Sequence, residues 1–362
     1  MATTPEIRSE SRPTRRTRIV CISDTHNCTV KLPPGDVLIH AGDLTNQGSY
    51  SELSRAVRWL EGLRYEAKII IAGNHDITLD ADFYAKHGHE FHNNKTESHE
   101  ECLALLTRSP SLTYLHHETA TIRLSSPAGP RTEFTVFGSP LAPAFGHWAF
   151  YYDPPPYGHH DHSKVSPWEA IPAHADIVVT HTPPRGHCDN RGGVDRPAGC
   201  EALRRALWRV RPRLAVCGHL HEGRGVSRVL WDLGRAYGER DGDDGEAAAA
   251  AAVAAWQDPG EEGPSGNKNN KMSLVDLSAS KKSNPRPLDN DGGLGRHDGD
   301  YGTAEAAAAE AAAPGWHGRR ETCVVNAAVL KSKFPHAGGK QFYKPIVVDL
   351  DLPVVVEESR QG

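Results

Sequence analysis

From Thr17 to about Leu233, short β-branched apolar runs alternate with Gly, Pro and Asp punctuation and with a few helical stretches. The runs RIVCIS (18–23), DVLIHA (36–41), AKIIIA (67–72), ADIVVT (175–180) and RLAVCG (213–218) are continuously apolar, the pattern of strands covered on both faces. Helical periodicity fits Ser51 to Leu63, Glu97 to Leu106 and Cys200 to Val210, while TATIRL and EFTVFG read as strands of a less buried sheet. This is an α/β rhythm, and each of the buried runs ends where polar chemistry begins.

The pattern breaks at about Gly234. Residues 234–319 hold an acidic run (ERDGDDGE), an Ala tract, a Lys/Asn/Ser/Gly stretch and a second Ala tract, with little aliphatic content. Such a segment buries too little surface to offset its ordering entropy, so the expectation is a low-complexity disordered insertion with marginal helix in the Ala tracts. Strand character returns in TCVVNAAVL (322–330) and KPIVVDLDL (344–352), which are expected to rejoin the first part. The resulting division is a disordered tail (1–16), a first part (17–233), the insertion (234–319), returning strands (320–352) and a second tail (353–362).

Composition narrows the setting. The 362 residues include 34 Gly and 26 Pro, and the formal net charge of −5 gives no electrostatic case for nucleic-acid binding. The 7 cysteines form no CxxC pair and are odd in number, as reduced thiols would be. With no secretory leader and no apolar run longer than Ala247 to Trp256, the expectation is a cytoplasmic protein that does not cross a membrane.

Five polar clusters follow strand-like runs: SDTH with Asp24 and His26, GDLT with Asp43, GNHD with Asn74, His75 and Asp76, THTPP with His181, and GHLH with His219 and His221. In an open α/β sheet ligands gather outside the carboxyl ends of strands, so these ends can converge. Carboxylate, imidazole and amide oxygen suit first-row divalent metals, and the lack of a thiolate argues against structural zinc. In D-x-H and H-x-H, residues two apart at a strand end point the same way, so each pair can present two groups to one cavity. Seven ligands suit two ions with positions left for water and substrate, and Asp43 can bridge. Metals about 3.5–4 Å apart clamp a phosphate oxygen and activate water, which is phosphoryl hydrolysis. His75, beside Asn74 and not needed for coordination, can act as general acid. Asp76 either orients His75 or caps the following helix.

In this order, D-x-H, GD, GNHD, H and GHxH resemble the calcineurin-like metallophosphoesterase superfamily. The resemblance covers 17–233 and 320–352 and implies a two-sheet β-sandwich flanked by helices. It also implies a first metal on Asp24, His26, Asp43 and His221, a second on Asp43, Asn74, His181 and His219, and a His75 that contacts the phosphate. GSPLAPAFGHWAF (138–150) and THTPPRGHCDNRGGVDRPAGCEALRRAL with GHLHEGRGV (180–226) look most like the metallophosphoesterase-domain-containing branch. That branch implies hydrolysis of cyclic nucleotides and small phosphodiesters, with Mn²⁺ favoured over Fe or Zn. Protein phosphatases of the superfamily carry GDxxDRG. Here the stretch is GDLTNQG, with Asn46 and Gln47 in place of Asp and Arg, which counts against that activity.

Other readings stay open at this level. A nuclease or phosphomonoesterase could use the same centre, and a non-catalytic metal-binding scaffold is the alternative outside enzymes. GHHDH (158–162) is expected to be a solvated loop rather than a third metal site. His187, Cys188 and Asp189 could line the substrate entrance, and Trp148, Phe150 and Tyr151 could stack on a nucleobase or belong to the core. Asn326 could approach the site from the returning segment, and His116 and His117 read as structural.

Overall fold

The computed structural model describes residues 13–154, 165–192, 197–233, 250–255, 258, 273–279, 287–288, 319–332, 335–336 and 338–355. Along the chain come β1 (Thr14–Ile22), β2 (Val37–Ala41), α1 (Tyr50–Glu61), β3 (Ala67–Ile71), α2 (Ala81–Phe91) and α3 (His99–Thr107). Next are β4 (Thr113–Tyr114), β5 (Glu118–Arg123), β6 (Glu133–Ser139), β7 (Ala142–Pro143), β8 (Tyr151–Tyr152), β9 (Ile177–Thr180), α4 (Glu201–Val210) and β10 (Leu214–Cys217). The last are β11 (Gly225–Trp231), β12 (Ala250–Ala255), β13 (Ser273–Asp276), β14 (Glu321–Asn326) and β15 (Ile346–Pro353).

Two main sheets form, in the orders β13-β15-β1-β2-β3-β4 and β12-β11-β14-β10-β9-β6-β5, and β7 pairs separately with β8. At the centre of each, strands run parallel: β1, β2 and β3 in the first, and β6, β9, β10 and β14 in the second. Period-two alternation explains why the runs are apolar throughout. Ile19, Cys21, Ile39, Ile69 and Ile71 meet Val136, Ile177, Val179, Val216 and Val325 between the sheets. The intervening residues Val20, Ile22, Leu38 and Ile70 pack outward onto Leu53, Leu60, Cys102 and Leu106 of α1 and α3. On the far side Val178, Ala215 and Val324 meet Leu203, Leu207 and Val210 of α4. The layers are thus helix, sheet, sheet, helix, as expected of a helix-flanked sandwich.

Local chemistry sets the helix starts. Ser49 and Glu52 form a reciprocal capping box at α1, and Asp80 caps α2 through Phe83 N. The returning strands join opposite sheets: β15 lies antiparallel to β1, with Arg18 gripping the buried Asp349 through two bonds of 2.7 and 2.8 Å. β14 sits between β10 and β11.

Three expectations are corrected. β1 begins at Thr14, inside the stretch assigned to the tail, because it pairs with β15 from Thr14↔Pro353 onward. The 234–319 segment is not structureless throughout: β12 extends the second sheet and β13 the first. In that segment the Ala tract is extended rather than helical over Ala250–Ala255, since the open edge of β11 offers the backbone hydrogen bonds that a lone short helix would have to supply alone. Helix α2 was not anticipated. The remaining tail residues 1–12, GHHDH and most of the insertion lie outside the described residues. Among the described residues, no helix is long and apolar enough to cross a membrane, and all seven cysteines are unpaired.

Candidate metal centre

The parallel strands β1, β2, β3, β9 and β10 all end at one rim, and the polar clusters that follow them meet there. Asp24 sits at 0% exposure, Asp43 at 2%, Asn74 at 3% and His181 at 0%. Four of the seven predicted ligands, Asp24 (φ 57°), His26 (φ 43°), Asp43 (φ 55°) and His219 (φ 67°), adopt left-handed backbone. A non-glycine residue pays about 1–3 kcal/mol for a sparsely populated conformation, and such strain clusters where function requires a given side-chain direction.

Three glycines let the loops close. A Cβ on Gly73 would strike Asp43, one on Gly42 would meet Ala72 O and His181 Nδ1 at 2.6 Å, and one on Gly218 would strike Ser23 and Asp24. The contacts that result bind the set together. The His219 backbone N–H donates to both Asp24 oxygens at 3.2 and 3.1 Å, and His221 Nε2 stands 3.2 Å from Asp24 Oδ1. Asn74 Oδ1 lies 3.0 Å from His181 Nε2 and 2.8 Å from His219 Nδ1. Asp43 faces His181 Nε2 at 3.4 Å through Oδ1 and His26 Nε2 at 3.7 Å through Oδ2.

The donor set fits divalent cations. His181 Nδ1 faces the Ala41 carbonyl at 2.8 Å and His26 Nδ1 faces that of Thr45 at 3.1 Å. In neutral rings these bonds put the proton on Nδ1 and leave the Nε2 lone pair facing inward, as ligating histidines require. His181 Nε2 then confronts two oxygen acceptors, Asn74 Oδ1 and Asp43 Oδ1, an arrangement that a cation between them relieves. Charge balance points the same way. Burial alone would raise both carboxyls, but His221 and His181 hold Asp24 low, and His181 and His75 hold Asp43 well below the usual range. Against its own burial, His181 is raised to about 9 by Asp43. Burial pushes His26 down to about 4 and His219 to about 3, which keeps their lone pairs available. The carboxylates thus demand positive charge that His181 would otherwise supply as a proton.

Beside this centre His75 hydrogen-bonds through its backbone N to Asp43 Oδ1 at 2.9 Å, and its Nδ1 stands 2.8 Å from the Asn46 carbonyl. Its ring lies 3.9 Å from that of Trp148. Asp76 fills neither expected role. Its carboxylate accepts from Gly73 N, Leu44 N, Thr45 N and Thr45 Oγ1 at 2.6–3.1 Å, tying the Asp43 loop to the Asn74 loop. Burial and the neighbouring Asp43 charge raise it to about 6.

A family model of calcineurin-like phosphoesterases matches residues 17–223, more than half of the chain. The chain belongs to that family. Metallophosphoesterase domain-containing protein 1 of Homo sapiens is 40% identical over 225 residues, covering 59% of this chain and 64% of that protein. A UPF0046 protein of Caenorhabditis elegans is 33% identical over 224 residues, covering 58% of this chain and 52% of that protein. A protein of Emericella nidulans named probable rhamnogalacturonate lyase C is 40% identical over 223 residues, 61% of this chain and 18% of that protein. The chain therefore spans less than two thirds of the length of each of these relatives.

In this calcineurin-like phosphoesterase the centre opens into a cavity of about 560 Å³, lined by His26, Asp43, Asn74, His75, His219 and His221 on its floor and by Phe145, Trp148, Tyr151, Arg191 and Glu222 on its walls. Of the three aromatic residues, Trp148 and Tyr151 line the cavity, Trp148 also packing against the core, whereas Phe150 is buried within it. His187, Cys188 and Asp189 do not line it: His187 packs on Trp231, Cys188 on Ser227, and Asp189 accepts from Gly186 N and Gly199 N. That turn instead delivers Arg191, whose guanidinium lies 3.9 Å over Phe145. Asn326 is buried behind the site and donates to the Cys188 and Leu220 carbonyls, steadying the His219–His221 loop from beneath. His117 is structural, with Nδ1 3.0 Å from Ser139 Oγ. Arg191, Phe145 and Glu222 were missed by sequence reasoning. A basic residue next to a Gly pair just downstream of the THTPP ligand loop was the available signal.

Proposed function

We propose that this phosphoesterase domain is a metal-dependent hydrolase that cleaves a small phosphodiester, with a cyclic nucleotide as the leading substrate and two divalent ions, Mn²⁺ foremost, as cofactors. One observation carries the reading: five of the seven N/O donors, His26, Asp43, Asn74, His219 and His221, line the floor of a cavity whose walls combine Trp148, Tyr151 and the Arg191 guanidinium, and the buried Asp24 and His181 contact that floor through His221 and Asn74. Aromatic faces suit a nucleobase and a guanidinium suits a phosphate oxygen. The cavity suits a small molecule, and the net charge of −5 favours that over a nucleic-acid strand. Seven unpaired thiols fit a reducing compartment.

Asp24, His26, Asp43 and His221 would hold one ion, and Asp43, Asn74, His181 and His219 the other. Bound there, the ions supply Lewis acidity toward the phosphate and a water acidic enough to attack at neutral pH. The chain's own residues do the rest. Asp43 sits between the two sets, fixed by the His75 N–H, so its two oxygens face different ligands. His75 donates through Nδ1 to the Asn46 carbonyl, which directs its Nε2 to the cavity. In the charged ring that Nε2 carries the proton given to the departing oxygen. Trp148 covers one face of the imidazole.

The experiment is a substrate panel of bis-p-nitrophenyl phosphate, cyclic AMP, AMP and DNA on the full-length, Mn²⁺-loaded protein, with Asp43→Ala as control. Cleavage of the first two that Asp43→Ala abolishes is the expected result. Cleavage confined to AMP or DNA replaces the substrate assignment, and activity that survives Asp43→Ala overturns the catalytic reading.

A further inference from the structure

Helix α2 carries a second set of donors, apart from the centre described above. His87 and Glu90 lie one turn apart, with His87 Nδ1 2.9 Å from Glu90 Oε1. His147, on the segment between β7 and β8, brings Nε2 to 3.4 Å from the other carboxylate oxygen, Oε2. One donor atom from each of the three residues lies within 4.8 Å of the other two. All three side chains reach solvent, at 33%, 47% and 52% exposure, so an ion has a path in.

The rings are held by their surroundings. Phe83 lies 5.1 Å from His87 and 5.4 Å from His147, Phe91 stacks on His147 at an interplanar angle of 12°, and the two imidazoles meet edge to face at 4.2 Å. Gly146, at φ 78°, turns the chain so that His147 faces the helix. An ordinary surface ion pair needs neither a second imidazole nor an aromatic frame around it. Two imidazoles and one carboxylate in fixed positions are the donor set of a three-ligand zinc site that keeps one position for water.

We propose that His87, Glu90 and His147 form a separate binding site for a divalent transition-metal ion, Zn²⁺ foremost. Imidazole-rich sites bind Zn²⁺ more tightly than Mn²⁺, so the site selects a different ion from that assigned to the main centre. It also has a consequence for the cavity. The residue after His147 is Trp148, whose ring covers His75 and forms part of the wall. An ion joining the loop to α2 fixes that wall in place.

Zinc content per chain after equilibrium dialysis tests this on the full-length protein. The comparison set is the natural chain, His147→Ala, Glu90→Ala and, as control, His89→Ala, an exposed position on the same helix outside the cluster. Ions taken by the main centre are common to all four proteins and cancel. His147→Ala and Glu90→Ala should each hold one zinc fewer than the natural chain and His89→Ala, and added Zn²⁺ should slow hydrogen exchange over residues 144–149 in the natural chain but not in Glu90→Ala. Equal zinc content in all four proteins overturns the proposal.

Discussion

How much His75 contributes depends on how badly the leaving group needs a proton. p-Nitrophenolate is a stable anion, whereas the ribose oxygen released from a cyclic nucleotide is not. His75→Ala should therefore lower kcat on cyclic AMP by about 10²–10⁴-fold and on bis-p-nitrophenyl phosphate by much less. Equal losses on the two substrates would assign His75 to binding instead. Several buried histidines contribute to acid sensitivity, His26, His40 and His219 among them, and a further one lies away from the candidate ligand set. His187 is 3% exposed with no hydrogen-bond partner on either ring nitrogen among the described residues, and burial, with Arg204 nearby, pushes it down to about 4. The unfolded chain takes that proton near pH 6.5 and the folded chain does not. Its contribution is thus intact above pH 6.5, is lost as pH falls from 6.5 toward 4, and reaches about 3 kcal/mol at most. His187→Leu should lose less stability than the natural chain across that window, read as urea midpoints at pH 7, 5.5 and 4.5. The two kinds of residue differ in legibility. The candidate ligands follow strand ends in short fixed spacings, so D-x-H and GHxH could be read directly. Arg191 and Phe145 reach the cavity on loops whose course no periodicity determines, and their 3.9 Å contact joins positions 46 residues apart.

Elements show the same divide. The buried strands were legible because each has two covered faces, which makes every position apolar. Helix α2 was not, because ADFYAKHGHEF carries Gly88 and three polar aromatic positions that blur its apolar stripe. The structure supplies the missing reason: Gly88 lies under the Tyr84 ring, where a Cβ would sit 2.7 Å from Cε2, so a residue that weakens helices in isolation is what lets this one close on itself. Glycine at the strand ends works at the same scale. Gly218 ends β10 against Ser23 and Asp24, and a methyl there must displace the Asp24 carboxylate or the His219 N–H that holds it. Gly218→Ala should therefore leave far-UV circular dichroism unchanged, since both sheets are formed elsewhere, while lowering kcat/KM at least about 10²-fold, the scale on which displaced catalytic groups act. A variant with normal kcat/KM would show that the loop ends tolerate separation.

At the scale of the whole molecule, the insertion makes two unequal contributions to the sheets. β12 lies on an outer edge and its Val253 is 51% exposed, whereas β13 is anchored by Val275 at 5% and followed by Leu277 at 3%, both within the core between the sheets. Arg319, at the far end of the same segment, is 2% exposed and donates to the Ala175 carbonyl and to Asp176, closing the base of β9. Low aliphatic content hid this from the sequence. A few residues suffice when two existing sheet edges provide the partners, and composition averaged over a long segment cannot register them. Leu277→Ala should consequently cost about 2–5 kcal/mol, and Val253→Ala should stay within about 0.5 kcal/mol of the natural chain. Removing 234–319 outright should cost at least as much as Leu277→Ala, because it strips Val275, Leu277 and Arg319 together and reopens the edges of β15 and β11. Thermal unfolding of the three variants measures the ordering. If the deletion proves as stable as the natural chain, the insertion is an ornament on the sandwich. If it ranks with or below Leu277→Ala, the segment is part of the fold that holds the candidate metal rim, through β15 and its neighbour β1, the strand that leads into Asp24.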